Sequence, residues 1–305
     1  MSAAEIGDRS GTGPSVKAAV AAVASFWLAG SRTPRPSEPF DDEAWAAVVA
    51  ACREEQLVGL LAAAVAGGAI NHTGGEVGAL DAALAEGRAR STRLEEDAVE
   101  LSRRLDAAGI DHRFLDGPVT AHRAYAVPAH RLSSTIEVLV ADGPAAAHEL
   151  DDLASGRRLL LTTELLPNRL GVAVGPADLP SPADTVVVAG HPLPALPVDA
   201  HVVVACLGAG GSRRSGLRDI VQLTLSGGAT VDGVTRWAAE WRVTAEVARA
   251  IRRSWEAFDL ADKIGLSVWA SRYESSTTEW RPRRGTNGAA HRLANALGLA
   301  NRGIR

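Results

Sequence analysis

Five apolar or β-branched residues around a single carboxylate, Thr135-Ile136-Glu137-Val138-Leu139-Val140, read as a strand and little else. That strand sits in a chain whose remaining patterns are mostly helical, so the sheet it joins must be assembled from short pieces between helices. The run from Asp81 to Ala108 has helical spacing, with Leu84, Leu94, Val99, Leu101 and Leu105 on its apolar side. Gly109 is placed to end it. Ile110 to Leu115 then reads as a short strand, Asp116-Gly117-Pro118 as a turn, and Val119 to Tyr125 as a helix, before a loop over Val127 to Ser134.

After the Thr135–Val140 strand, Asp142-Gly143-Pro144 opens a helix that runs to Leu153, with Pro144 suited to its first turn. Arg158–Leu161, Leu170–Val174 and Thr185–Val188 read as further strands. The proline-rich stretch from Pro176 to Pro197 is mostly extended. Upstream, Ala18–Ala29 reads as an amphipathic helix, and Thr33–Pro39 carries three prolines and reads as a linker. Asp41-Asp42-Glu43 supplies a carboxylate start to a helix from about Glu43 to Glu55, followed by a second helical run over Gln56–Val65. Downstream, Asp199 can cap a helix from Ala200 to Ala209. Leu217–Leu225, Val231–Trp241 and Thr244–Phe258 are helical, with Trp237, Trp241 and Trp255 packing them together.

The expected class is therefore α+β: a small mixed sheet flanked by N- and C-terminal helical regions. The segments divide as residues 1–40, a flexible N-terminal segment with one helix; 41–109, helical; 110–198, the α/β core; 199–271, helical; and 272–305, a basic tail carrying Arg281, Arg283, Arg284, Arg292, Arg302 and Arg305.

Bulk properties exclude several kinds of function. With 305 residues, 46% hydrophobic and 22% charged, the chain can bury a sizeable core. A formal net charge of −4 argues against a general electrostatic grip on nucleic acid. The apolar stretch from Val16 to Leu28 is too short to span a bilayer, and a cytoplasmic location is expected. Cys52 and Cys206 sit in apolar runs and read as small buried hydrophobes.

Three patterns along the chain resemble a family. Leu105-Asp106-Ala107-Ala108-Gly109-Ile110 matches a helix ending in an "aAGI" turn, and Phe114-Leu115-Asp116-Gly117-Pro118-Val119 matches "LKGpal". Arg131 through Val140 matches "R…DiDLLV". Pro192–Pro197 ("pLPaLp") and Leu217-Arg218-Asp219-Ile220 ("lrDl") extend the match, so that it spans roughly residues 40 to 260. The chain is thereby similar to the bacterial nucleotidyltransferase-like family, an uncharacterised branch of the nucleotidyltransferase superfamily. That resemblance implies a nucleotidyltransferase-like core, transfer of a nucleoside monophosphate, and Mg²⁺ with a nucleoside triphosphate as cofactors. Transfer of this kind needs carboxylates to hold Mg²⁺ against the phosphates, and a turn whose N–H groups face the triphosphate.

Departures from the pattern fall on those very positions. The "LKG" lysine falls on Asp116, the two aspartates of the Asp-x-Asp pair on Thr135 and Glu137, and the histidine of a downstream helix on Gly208. The third acidic position is expected on the Leu170–Val174 strand, which has no carboxylate. The resemblance implies Glu137 and Asp116 as catalytic and metal-binding candidates, and Gly117, Arg131 and Thr135 as cofactor-binding candidates. Each has a plainer alternative. Glu137 reads equally as a solvent-facing or edge strand residue. Asp116 reads first as a turn-former before Gly117, and Arg131 first as a surface-loop residue. His112, His122 and His130 read as scattered side chains, with a metal triad as the alternative. The Gly208–Gly216 loop lacks the P-loop pattern.

Three functions stay open at this point. One is a catalytically impaired nucleotidyltransferase-like protein that retains nucleotide or partner binding. The second is an active Mg²⁺-dependent enzyme with a metal site rearranged onto Asp116 and Glu137. The third is a non-enzymatic helical interaction scaffold. A nucleotide or a protein is the expected partner, with no membrane and no indicated nucleic acid.

Overall fold

A computed structural model describes residues 15–72, 77–151, 159–165, 174–181, 183–208, 213–261 and 265–273. The N-terminal segment through Pro14, the strand expected over Leu170–Val174 (apart from Val174), residues 209–212 of the Gly208–Gly216 loop and the basic tail from residue 274 on lie outside the described residues. No helix among the described residues is long and apolar enough to cross a membrane.

Helices come first. α1 (Val16–Ser25) ends before the expected Ala29, because Trp27 takes a left-handed backbone (φ 60°). α2 (Asp42–Glu54) begins where its sequence says it should: the Asp41 carboxylate accepts from the Ala44 N–H at 2.9 Å, satisfying a free donor of the first turn. It buries Trp45, Val48, Val49 and Cys52 on one face. Gln56, at φ 60°, breaks the chain before α3 (Val58–Ala66). α4 (Val77–Ala107) is 31 residues long and starts four residues ahead of the Asp81 expected from its pattern. Gly109, at φ 69°, closes its C-terminal end, and the Ile110 N–H reaches back to the Leu105 carbonyl.

The sheet is small and mixed. β1 (His112–Asp116), β2 (Ile136–Val140), β3 (Leu159–Thr162), β4 (Asp184–Val188) and β5 (His191–Ala195) lie in the order β3-β2-β1-β5-β4. β2 runs antiparallel to β1 and parallel to β3, β5 parallel to β1, and β4 antiparallel to β5. Between β1 and β2 run α5 (Pro118–Ala124) and a 3-10 turn (Pro128–His130). α6 (Gly143–Glu149), capped by Asp142 through the Ala145 N–H, follows β2. α7 (Val198–Gly208), α8 (Arg214–Leu225), α9 (Val231–Glu240), α10 (Thr244–Ala257) and α11 (Gly265–Arg272) complete the chain. Asp199 does not cap α7. It lies in that helix's first turn, and its carboxylate accepts from the Thr230 N–H at 2.7 Å, tying α7 to the start of α9. The α+β class with helices on both sides of a mixed sheet is what the sequence leads one to expect.

Strand alternation assigns the two faces of the sheet. Phe114, Ile136, Val138 and Val140 pack with Leu94, Ala98, Leu101 and Leu105 of α4 in one apolar cluster. Leu115 and Leu139 belong to a second, larger cluster that takes in α1, α2, α3 and the C-terminal helices, with Trp237, Trp241 and Trp255 buried in it. A bulge breaks the β1–β2 register: Phe114 opposes Val138, and Asp116 opposes Glu137. Strict alternation would send Asp116 to the α4 face with Phe114. The inserted residue puts it on the opposite face, beside Glu137.

The loop into β2 is held from behind by α3. A Cβ on Gly59 would lie 2.1 Å from the Ala129 carbonyl oxygen, a backbone atom of the 3-10 turn. Helix propensity alone favours Ala over Gly there by about 1 kcal/mol. We expect the opposite sign for Gly59→Ala, a loss of about 1–3 kcal/mol through overpacking, read from the midpoint of a urea unfolding curve.

Candidate functional site

Where β1 ends and β2 begins, five side chains from four elements meet. Arg131 is at the centre. It is not a surface-loop residue: its side chain is 10% exposed. Its Nε donates to both Asp219 oxygens at 2.9 Å. Nη1 donates to Ser133 Oγ at 2.9 Å and to the Gly117 carbonyl at 3.3 Å. Nη2 donates to Asp116 Oδ1 at 2.7 Å and faces Asp219 Oδ2 at 2.9 Å. Four of the five N–H donors of the guanidinium are thereby hydrogen-bonded, and Nη2 also lies in ion-pair contact with Asp219. Burial works against its charge, but Asp116 and Asp219 more than offset this and hold its pKa above the ordinary arginine value. The Tyr125 hydroxyl donates to Asp219 Oδ1 at 2.7 Å, completing the shell.

Asp116 is the last residue of β1, not a turn residue. Burial acts to raise its pKa, but Arg131, the Gly117 N–H and the Thr120 hydroxyl outweigh it and hold the carboxyl below its ordinary value. Thr120 Oγ1 donates to Asp116 Oδ1 at 2.8 Å and lies 3.0 Å from His201 Nε2. His201 Nδ1 faces Arg123 Nη1 at 3.3 Å. A guanidinium can only donate, so Nδ1 must accept and the ring hydrogen lies on Nε2. The result is a directed chain from His201 through Thr120 to Asp116. Burial and the neighbouring Arg123 push His201 down to about 3, so the ring is neutral.

Glu137 faces Asp116 across the ladder and is partly buried on an inner strand, neither an edge residue nor a fully solvated one. Burial, with Asp116 adding to it, pushes Glu137 up to about 7. Two carboxylates on facing positions split their titrations in this way when one is ion-paired and the other is not.

The remaining candidates are placed as follows. Gly117 has φ 90°, and a Cβ there would meet the Thr135 carbonyl oxygen at 2.4 Å, so only glycine lets the β1 turn pass under the start of β2. Its N–H is turned toward the Asp116 carboxylate, and Pro118 has none. This turn therefore has little to offer a triphosphate. Thr135 contributes its backbone to that close approach. The three histidines do not come together. His112 is buried between Ser102 Oγ and the Ile110 carbonyl, His122 lies by Glu95, and His130 stacks on Trp27. Among the described residues no group of three His, Cys, Asp or Glu side chains converges on one point.

Sequence reasoning missed two participants. Asp219 was visible only as part of a helical motif; its partner, Arg131, lies 88 positions away. The second is His201, two turns before Gly208 in the same helix. A histidine within a run that is otherwise apolar from Ala200 to Leu207 was the available signal.

A strand–turn–helix–strand unit with acidic side chains gathered at the paired strand ends is the arrangement of a nucleotidyltransferase-like core. Residues 41–158 match a family model described as uncharacterised nucleotidyltransferase, so over that segment, from the start of α2 to the edge of β3, the chain is nucleotidyltransferase-like. No curated protein and no solved structure matches the chain. Asp116, Arg131 and Glu137 lie inside the matched segment, whereas His201 and Asp219 lie beyond it.

Two outcomes are expected. Asp219→Ala strands a buried guanidinium on one remaining carboxylate, and should cost about 3–5 kcal/mol of stability in chemical denaturation. Glu137 gives a pH signature. Its pKa rises from 4.5 to about 7 on folding, so across that interval the folded chain keeps a proton that the unfolded chain releases. Stability contributed by the protonated side chain is full below about 4.5 and is lost as pH rises through about 7. Glu137→Gln should therefore gain on the parent by about 2–3 kcal/mol across that interval, measured as the pH dependence of the unfolding free energy of both.

Proposed function

We propose that this protein is a nucleotidyltransferase-like protein impaired in transfer, whose fold serves to bind a nucleotide or a protein partner. The observation that carries this reading is the state of Arg131. The guanidinium nearest the strand ends has four of its five N–H donors in hydrogen bonds within the protein, and two carboxylates already neutralise it. A polyphosphate approaching Asp116 would meet negative charge where the resembled pattern has a lysine.

The donor set also bears on metal. Two-ion transfer needs carboxylates enough to bridge both ions. Here Asp116 Oδ1 is occupied by Arg131 and Thr120, position 135 is a threonine, and Glu137 is the remaining acid of the pair. These residues do not fit a two-ion centre. The pairing of Asp116 with Glu137 favours a second reading, in which these two carboxylates would hold a single divalent cation that would polarise a phosphoryl oxygen and support a slower or different reaction. No step is assigned to it here.

Pyrophosphate release from ATP, GTP, CTP and UTP, each with Mg²⁺, separates the two. The expected outcome is no release above the uncatalysed background for any of the four. Mg²⁺-dependent release that disappears in Glu137→Ala would instead establish the rearranged enzyme. Calorimetric titration with the same nucleotides then decides whether the binding partner is a nucleotide or a protein.

A further inference from the structure

On the far side of the loop that carries Arg131 lies a cavity of about 230 Å³, between the C-terminal end of α2, the first half of α4 and the start of α8. Its charged lining is unbalanced. Arg53, Arg90 and Arg213 face Glu54 and Glu86 in a chain whose overall charge is negative. The Glu86 carboxylate takes an N–H from Arg53 on one oxygen and from Arg90 on the other. One carboxylate thus orients two guanidiniums and leaves most of their donors unused. Among the described residues no carboxylate pairs with Arg213.

The rest of the lining is built to keep this space open. Leu132 forms an apolar wall against α4, and it fits there because position 87 is glycine: a Cβ on Gly87 would come within 2.5 Å of Leu132 Cδ1. Glycine in mid-helix is otherwise unfavourable. Gln56, held in a left-handed backbone at φ 60°, hydrogen-bonds Ser134 Oγ on the cavity's rim. A residue in such a conformation is tolerated where the surroundings fix it, often beside a binding site.

We propose that this cavity binds the phosphoryl group of a small phosphorylated ligand through Arg53, Arg90 and Arg213. Guanidinium forks match the geometry of phosphoryl oxygens and hold them by paired, charge-assisted hydrogen bonds. The volume is below that of sites enclosing a whole drug-sized molecule, so a phosphate or pyrophosphate head enters and any organic portion stays outside. The site is separate from the strand ends and does not depend on the reading given above. The two share only the loop, which presents Arg131 and Ser133 to one side and Leu132 and Ser134 to the other.

The test is calorimetric titration of the full chain with inorganic pyrophosphate at low ionic strength, then with inorganic phosphate and with AMP. The expected result is saturable pyrophosphate binding that weakens about tenfold or more in Arg90→Gln and in Arg213→Gln, and persists in Glu137→Ala. Both arginines are on the surface, so neither variant is expected to unfold. Tighter binding of AMP than of phosphate assigns an organic phosphate ester, and equal binding assigns the free anion. Absence of binding by the parent, or binding that survives both arginine variants, overturns the proposal. Loss in Glu137→Ala alone would place any binding at the strand ends and overturn it equally.

Discussion

A guanidinium buried under the sheet is costly to desolvate, and Arg131 is tolerated because two carboxylates and a set of hydrogen-bond acceptors surround it. Four of its five N–H donors are hydrogen-bonded and two carboxylates balance its charge; the partners come from the end of β1, the loop before β2 and helix α8, with Tyr125 closing the far side. The α/β core and the C-terminal helices are therefore coupled electrostatically as well as through the shared apolar cluster.

That same cluster sets the charge of the strand ends. Asp116 and Asp219 carry two negative charges against the single positive charge of Arg131, so a third carboxylate beside them cannot ionise freely. Glu137 is that third carboxylate, and its elevated pKa follows from burial together with this local excess. Neutral His201 adds no compensating charge. It fixes the direction of the Thr120 hydroxyl and through it the orientation of Asp116. The strand ends thus favour a proton or a cation and disfavour an anion, whereas the cavity across the Arg131–Thr135 loop has the opposite preference.

Much of this was legible in the residues, and what was not has physical reasons. β2 declared itself through β-branched residues around one polar position. α2 and α6 declared themselves through Asp41 and Asp142, whose short carboxylates reach the free N–H groups of a first turn. Asp116 was misread as a turn residue because alternation from Phe114 points it the wrong way, and a bulge leaves no mark in a single sequence. Arg131 was misread because a polar residue in a loop looks solvated until its long-range partner is known. His201 escaped notice because helical periodicity alone does not say which apolar helix face covers a sheet end. Gly59 and Gly87, which look like flaws in helices, are points of close backbone or side-chain approach visible only once neighbours are placed.

The altered positions make more sense together than singly. The resembled pattern puts a lysine on β1 and two carboxylates on β2. This chain has Asp116 on β1, Thr135 just before β2 and Glu137 on it. A lysine at 116 would lie against Arg131 and repel it; an aspartate there attracts it. Acidic character has thus moved from one strand to two, and the β1 bulge brings the moved carboxylate opposite the retained one. A pair of carboxylates is recovered, but the two are not equivalent. Asp116 is ionised and already committed to Arg131 and Thr120, while Glu137 is poised near neutrality with no cationic partner of its own. Such a pair can share one ion at most. Asp116 both pairs with Arg131 and places a negative charge where the resembled pattern has a lysine, so one side chain serves the junction and, on the function proposed above, disfavours a phosphate.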